Sequence, residues 1–213
     1  MNKISAIELL RSTWLIHAES VDLYRAVVIE LLAAKEVSTG FFSKIALPEV
    51  PDSMALVPMV GVLTKADVCG SMGTRSLTSM IMNAANDPGI KSILVYAENC
   101  PGGQVDGTQV MADAVRYAKK KKPVMGAISG MNCSAGEWIM SQANEMYATS
   151  GTDMIGCIGV VARINNPAKS NDPNSEVISV YSDLSPDKNS EFKDTEALKK
   201  AFLNPVAELF HAA

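Results

Sequence analysis

The chain has 213 residues, 47% of them hydrophobic, and a formal net charge of −4. That length suits one domain of ordinary size with an appendage, and the apolar content excludes global disorder. The mild acidity argues against a nucleic-acid partner, which needs a basic face, and no apolar run approaches the ~20 residues of a membrane span.

In chain order, residues 4–36 read as a helical arm, with Ile4, Ile7 and Leu10 and then Val21, Tyr24, Val28, Leu31 and Leu32 at helical spacing on either side of a Trp14-Leu15-Ile16 step. Glu8 and Arg11 interrupt any apolar core there, so the start lacks a signal peptide's layout, and a cytoplasmic location is expected. Residues 37–53, with Gly40, Pro48 and Pro51, read as a linker. From 54 to 213 the pattern becomes that of a single domain. Ala55–Leu63 is a buried-type strand, Arg75–Asn86 a helix closed by Asp87-Pro88-Gly89, and Lys91–Tyr96 a strand. Cys100–Gly103 reads as a loop, Val105–Lys121 as an amphipathic helix, Val124–Ile128 as a strand and Ser134–Ala143 as a helix. Glu145–Ala148, Met154–Val161 and Val177–Tyr181 follow as strands, Asn165–Ser175 as a polar loop and Glu191–Phe210 as a helix. Strands alternating with helices of this length predict an α/β fold with parallel pairing. The Lys119–Lys122 run reads as a solvated helix end whose cations complement the helix dipole.

The cysteines are Cys69, Cys100, Cys133 and Cys157, with no Cys-x-x-Cys pair, and His17 and His211 lie near opposite ends. No metal site, disulfide or cofactor is expected from that arrangement. Any acid–base chemistry near the middle of the chain must therefore use a group other than histidine. Three places stand out. Pro101-Gly102-Gly103 follows a strand and lets backbone N–H groups approach a ligand, or is simply a turn. Ser134, in Cys133-Ser134-Ala135-Gly136, stands at a strand-to-helix junction and is either a helix cap or a nucleophile whose oxyanion the Ala135 N–H helps to hold. Lys188 follows the Val177–Tyr181 strand and by itself has nothing to distinguish it from a solvated lysine.

Taken together, the strand, Pro-Gly-Gly, helix, Lys-Pro-Val, strand, Ser-Ala-Gly, helix and Thr149–Val160 (TSGTDMIGCIGV) resemble the signal peptide peptidase A type of serine peptidase. This is the S49 family of the ClpP/crotonase-like superfamily. The resemblance runs over roughly residues 55–210, and the start around Trp14–Glu19 looks like the phage and prophage branch of head-maturation proteases. It implies a ClpP/crotonase-like spiral of β-β-α units with an N-terminal helical extension. It also implies Ser134 as nucleophile, Lys188 as general base 54 residues later, and Gly102 or Gly103 with Ala135 as backbone oxyanion donors. A lysine amine acts as a base near neutral pH only where burial penalises its charged form. The implied partner is an extended polypeptide, such as a capsid or scaffold protein, taken up by strand addition within a homo-oligomeric ring.

The chain departs from the family pattern at Cys100 for serine, at Cys157 for the serine of Gly-Ser-Ile-Gly-Val, and at Glu137-Trp138. Lys193 is a rival base inside the last predicted helix, and the end at Ala213 is earlier than expected for the family, as in a truncated chain. Two other functions fit the same residues: a crotonase-like acyl-CoA enzyme using Glu137 as its acid or base, and a non-catalytic assembly protein with a decayed site.

Overall fold

The computed structural model describes residues 14–16, 47–68, 71–165, 177–185 and 187–188, together with 196, 199–204 and 207–208 near the C-terminus. Its centre is a parallel sheet built from β2 (Met54–Val60), β3 (Ser92–Cys100), β5 (Val124–Cys133), β6 (Glu145–Ala148) and β7 (Met154–Gly156). β2, β3, β5 and β6 lie side by side in that order, and β7 pairs with the far end of β5. Every pairing in this sheet is parallel, as the alternation of strands and helices predicts.

The helices between the strands show why these segments fold as they do. In α1 (Thr74–Asn86), Leu77, Ile81, Ala84 and Ala85 fall on one buried stripe. The helix stops at Asp87, whose extended backbone (φ −79°, ψ 117°) is what the following Pro88 demands. In α2 (Thr108–Ala118), Met111, Val115 and Ala118 make the equivalent stripe. Helix α3 (Ala135–Met140) buries Ile139 and Met140. These meet Val57, Met59, Ile93, Val95 and Ile128 from the strands in one core, where burying each large aliphatic side chain contributes about 1.5–3 kcal/mol. In the lysine run at the end of α2, Lys122 Nζ donates to Ala84 C=O at 2.6 Å and Lys121 Nζ to Asn86 Oδ1 at 2.6 Å, tying α2 to the end of α1.

Several elements differ from their predicted bounds. Trp14–Ile16, inside the expected helical arm, is strand β1, and the rest of that arm lies outside the described residues, as does most of the linker. β3 runs on to Cys100 and β5 to Cys133, because their parallel pairing continues to Cys100 opposite Asn132. Gly102–Gln104, expected as loop, is a short strand, β4, paired antiparallel with β1. The single strand predicted over Met154–Val161 is two, β7 and β8 (Val161–Asn165), separated by a turn with positive φ at Cys157 (52°) and Gly159 (133°). β8 pairs antiparallel with β9 (Val177–Tyr181). The described residues of the last predicted helix are helical, with a π-helical turn at Lys199–Leu203, and Lys193 lies outside the described residues.

Candidate active site

Ser134 is the single residue between β5 and α3. Its backbone is at φ 56°, ψ −112°, outside the regions an L-residue favours, and such strain persists only where the surroundings over-determine it. Two contacts impose it here. The Ser134 N–H donates to Gly156 C=O at 2.7 Å, which fixes the end of β5 to β7. On the other side α3 begins at once and is pressed onto the end of β3: a Cβ on Gly136 would lie 2.8 Å from Cys100 Sγ and 2.6 Å from Asn132 Oδ1.

As the helix cap of α3, Ser134 makes no side-chain hydrogen bond to the helix. Its hydroxyl is instead engaged by Lys188, whose Nζ lies 3.2 Å from Ser134 Oγ. The other partners of that amine are Cys157 C=O at 2.7 Å and Cys157 Sγ at 3.2 Å. All three are uncharged groups, and the lysine is only 2% exposed and the serine 5%. The turn between β7 and β8 explains the burial. Gly159, at φ 133°, runs so close over the lysine stem that a Cβ there would sit 3.2 Å from Lys188 Cδ and 2.3 Å from Ser185 Cβ. An amine and a hydroxyl from segments 54 residues apart thus meet in a nearly dry contact.

The glycine pair lies on β4, which packs against α3. Both glycines are buried, and Gly102 has φ 105°. Gly103 could carry no side chain, since a Cβ would fall 1.9 Å from Leu63 C=O. The Gly102 N–H hydrogen-bonds to Cys100, whose thiol burial nevertheless pushes up to about 12. The Ala135 N–H opens α3, where a first-turn amide has no acceptor within the helix.

Beside Ser134 a cavity of about 360 Å³ is lined by Ser134, Glu137, Trp138, Ser141, Ile158, Gly159 and Val160. Its wall is mostly apolar, and Trp138, Ile158 and Val160 are partly open to solvent. Glu137 is the exception. Burial pushes its carboxyl above the usual range, partly offset by a hydrogen bond from Asn132 Nδ2 at 2.8 Å. Asn132 is itself fully buried, and its Oδ1 has no partner.

Asp153 was not singled out in the sequence. Its carboxylate accepts from the N–H groups of Gly130 (2.9 Å), Thr149 (2.8 Å) and Ser150 (2.8 Å) and so ties the turn before β7 to β5. The Cys157 carbonyl was missed as well, because a backbone acceptor leaves no signature in residue types. Among the described residues no cluster of His, Cys, Asp and Glu could hold a metal ion, and no helix is long and apolar enough to cross a membrane.

The family model of peptidase family S49 matches residues 116–208. Capsid assembly protease C of Escherichia phage lambda is 32% identical over 140 residues, 63% of this chain and 31% of that protein. Protease 4 of Salmonella typhi is 33% identical over 113 residues, 52% of this chain and 18% of that protein. The chain therefore spans less than a third of the length of these relatives. Among solved structures, an enoyl-CoA hydratase from Mycobacterium smegmatis aligns over 51% of this chain and 48% of its own, with 15% identity and a TM-score of 0.40.

Proposed function

We propose that this chain, whose residues 116–208 match the model of peptidase family S49, is a serine endopeptidase in which Ser134 is the nucleophile and Lys188 the general base. The observation that carries the reading is the buried 3.2 Å contact between Lys188 Nζ and a serine hydroxyl that is not spent on capping its helix.

In its neutral form the Lys188 amine accepts the Ser134 proton as Oγ attacks the peptide carbonyl carbon, and then delivers that proton to the leaving amine. Water hydrolyses the acyl-enzyme by the same route in reverse. The Cys157 carbonyl at 2.7 Å holds one N–H of the lysine and so aims its lone pair at the hydroxyl. The Ala135 N–H and an amide of the Gly102-Gly103 pair serve the oxyanion, with donors fixed before the charge develops. The apolar cavity beside Ser134 receives a substrate side chain, so an aliphatic or aromatic residue next to the cleaved bond suits it.

The substrate class is polypeptide. The likeness to capsid assembly protease C of phage lambda supports a capsid-related protein as substrate, and the finer proposal is a capsid or scaffold protein processed in the cytoplasm by a homo-oligomeric ring of this chain.

The test is cleavage of an unstructured polypeptide, with the fold of each variant checked by circular dichroism. Ser134→Ala should abolish turnover and labelling by a fluorophosphonate. Lys188→Ala should lower kcat/KM by about 10²–10⁴, the usual worth of a general base. Turnover unchanged in either variant overturns the assignment. Cleavage of a capsid or scaffold protein encoded beside this chain, lost with Ser134→Ala, tests the finer substrate reading.

A further inference from the structure

Strand β4 has two edges, and they are used differently. On one, the Leu63 N–H donates to Gly102 C=O at 2.8 Å and the Gln104 N–H donates to Leu63 C=O at 2.8 Å. Backbone groups of successive residues in a strand face opposite edges, so the N–H and C=O of Gly103 face away from Leu63. There they meet β1, which runs antiparallel with Trp14 opposite Gln104, Leu15 opposite Gly103 and Ile16 opposite Gly102. Leu15 and Gly103 therefore form the hydrogen-bonded pair of this ladder, and the Leu15 carbonyl takes the Gly103 amide. β1 also touches β8, the strand that leaves the turn covering Lys188. It lies outside the parallel sheet, paired with β4 alone in a two-stranded sheet.

We infer that Trp14–Ile16 is an internal occupant of the outer edge of β4, which the extended polypeptide expected from the family resemblance must displace to dock there. This deepens the peptidase reading above and rests on it. An antiparallel strand laid on β4 would run past α3 and the Ser134–Lys188 contact, with affinity supplied by backbone hydrogen bonds that tolerate many sequences. β1 demonstrates that the edge accepts such a strand. It also covers Gly103, one of the two glycines proposed to serve the oxyanion.

Displacement is energetically accessible. The ladder spans three residues, and an incoming strand replaces its hydrogen bonds one for one, so the exchange is close to balanced. What favours β1 is its covalent tether, which gives it a high effective concentration at the edge. The intact chain is thus self-restrained.

Two measurements on the full-length chain test this. The first is amide hydrogen exchange on Ser134→Ala with and without a blocked leucine–alanine hexapeptide. The Leu15 amide should lose protection as the peptide is added, while Gly103 keeps it. A peptide that leaves Leu15 protected, or fails to bind, overturns the inference. The second is Leu15→Pro, which removes the N–H that bonds to Gly103 C=O. Fluorophosphonate labelling of Ser134 and peptide cleavage should both rise roughly five- to ten-fold, the population shift expected on losing a ladder hydrogen bond. Unchanged rates in Leu15→Pro mean that β1 is a fixed structural strand, and overturn the inference while leaving the peptidase intact. If Ser134 is labelled in neither protein yet the hexapeptide still releases Leu15, the peptidase reading falls and the strand-addition edge stands.

Discussion

Ser134 holds a backbone conformation (φ 56°, ψ −112°) that its residue type does not prefer, and its hydroxyl makes no cap. By itself the sequence favours a cap over a nucleophile, because a serine at a strand-to-helix junction is most often a cap. The strained turn and the lysine approaching from 54 residues away are what support the proposed nucleophile. Lys188 is singled out by the resemblance to the family pattern and not by its own surroundings in the sequence. The thiols nearby are a matter of burial. Burial pushes the thiols of Cys100 and Cys133 up to about 12, for Cys133 with added repulsion from neighbouring acidic groups, including the Cys157 and Cys100 thiols. A thiol in that range is almost entirely protonated at pH 7, and the thiolate is the nucleophile. Iodoacetamide at pH 7 should therefore leave Cys100 and Cys133 unmodified in the native protein and alkylate both after denaturation, as read by peptide mass mapping. Rapid native alkylation of either residue would show that the packing around Ser134 is looser than described.

At the scale of elements, the parallel core strands and amphipathic helices were readable because apolar periodicity decides them. The ends of β3 and β5 were not. Ala97-Glu98-Asn99-Cys100 and Ser129–Cys133 lack an apolar run, and their pairing with each other extends them. β4 was hidden for a similar reason, since two glycines have little strand propensity and gain it here from neighbours on both edges. The clamp between β5 and the turn before β7 is a further tertiary device. Burial raises the Asp153 carboxyl, but hydrogen bonds from Gly130, Ser150 and Thr149 outweigh it and hold the group below the usual carboxylate range. A depressed carboxyl contributes stability that is fully present above the unfolded value, near 3.9, and is lost as pH falls through the folded value. Asp153→Asn should lower the melting temperature at pH 7 by about 2–4 °C, the effect of about 1 kcal/mol in a chain of this size. That gap should stay level down to about pH 5 and close below about pH 4. A gap independent of pH would mean that the carboxylate's charge has no part in holding the turn.

For the whole molecule, the α/β class with a parallel sheet follows from the order of elements, but the surface does not. Large apolar side chains are left open on the segments that form the site: Ile158 (75% exposed), Trp138 and Val160 line the cavity beside Ser134, and Leu184 (94% exposed) and Val180 lie on the stretch that leads to Lys188. Leu184 lies four residues before Lys188, on the segment that carries it, and Ile158 lies on the turn that covers it. Single exposed apolar residues are ordinary, whereas a group of them at one rim marks a surface that another molecule covers. A second copy is the natural cover, because closed rings of identical chains bury the same rim repeatedly. It would also shield the buried contact between Lys188 and Ser134 on which the proposed chemistry rests. Sedimentation velocity at micromolar concentration should then show a main species larger than the 22.7 kDa chain. Leu184→Lys should shift it towards monomer with the circular dichroism spectrum unchanged. Because Leu184 lies on the segment that carries Lys188, Ser134 labelling should fall in step with the loss of assembly. A wild-type monomer that labels at full rate would place the site's completeness within one chain and leave the rim to substrate alone.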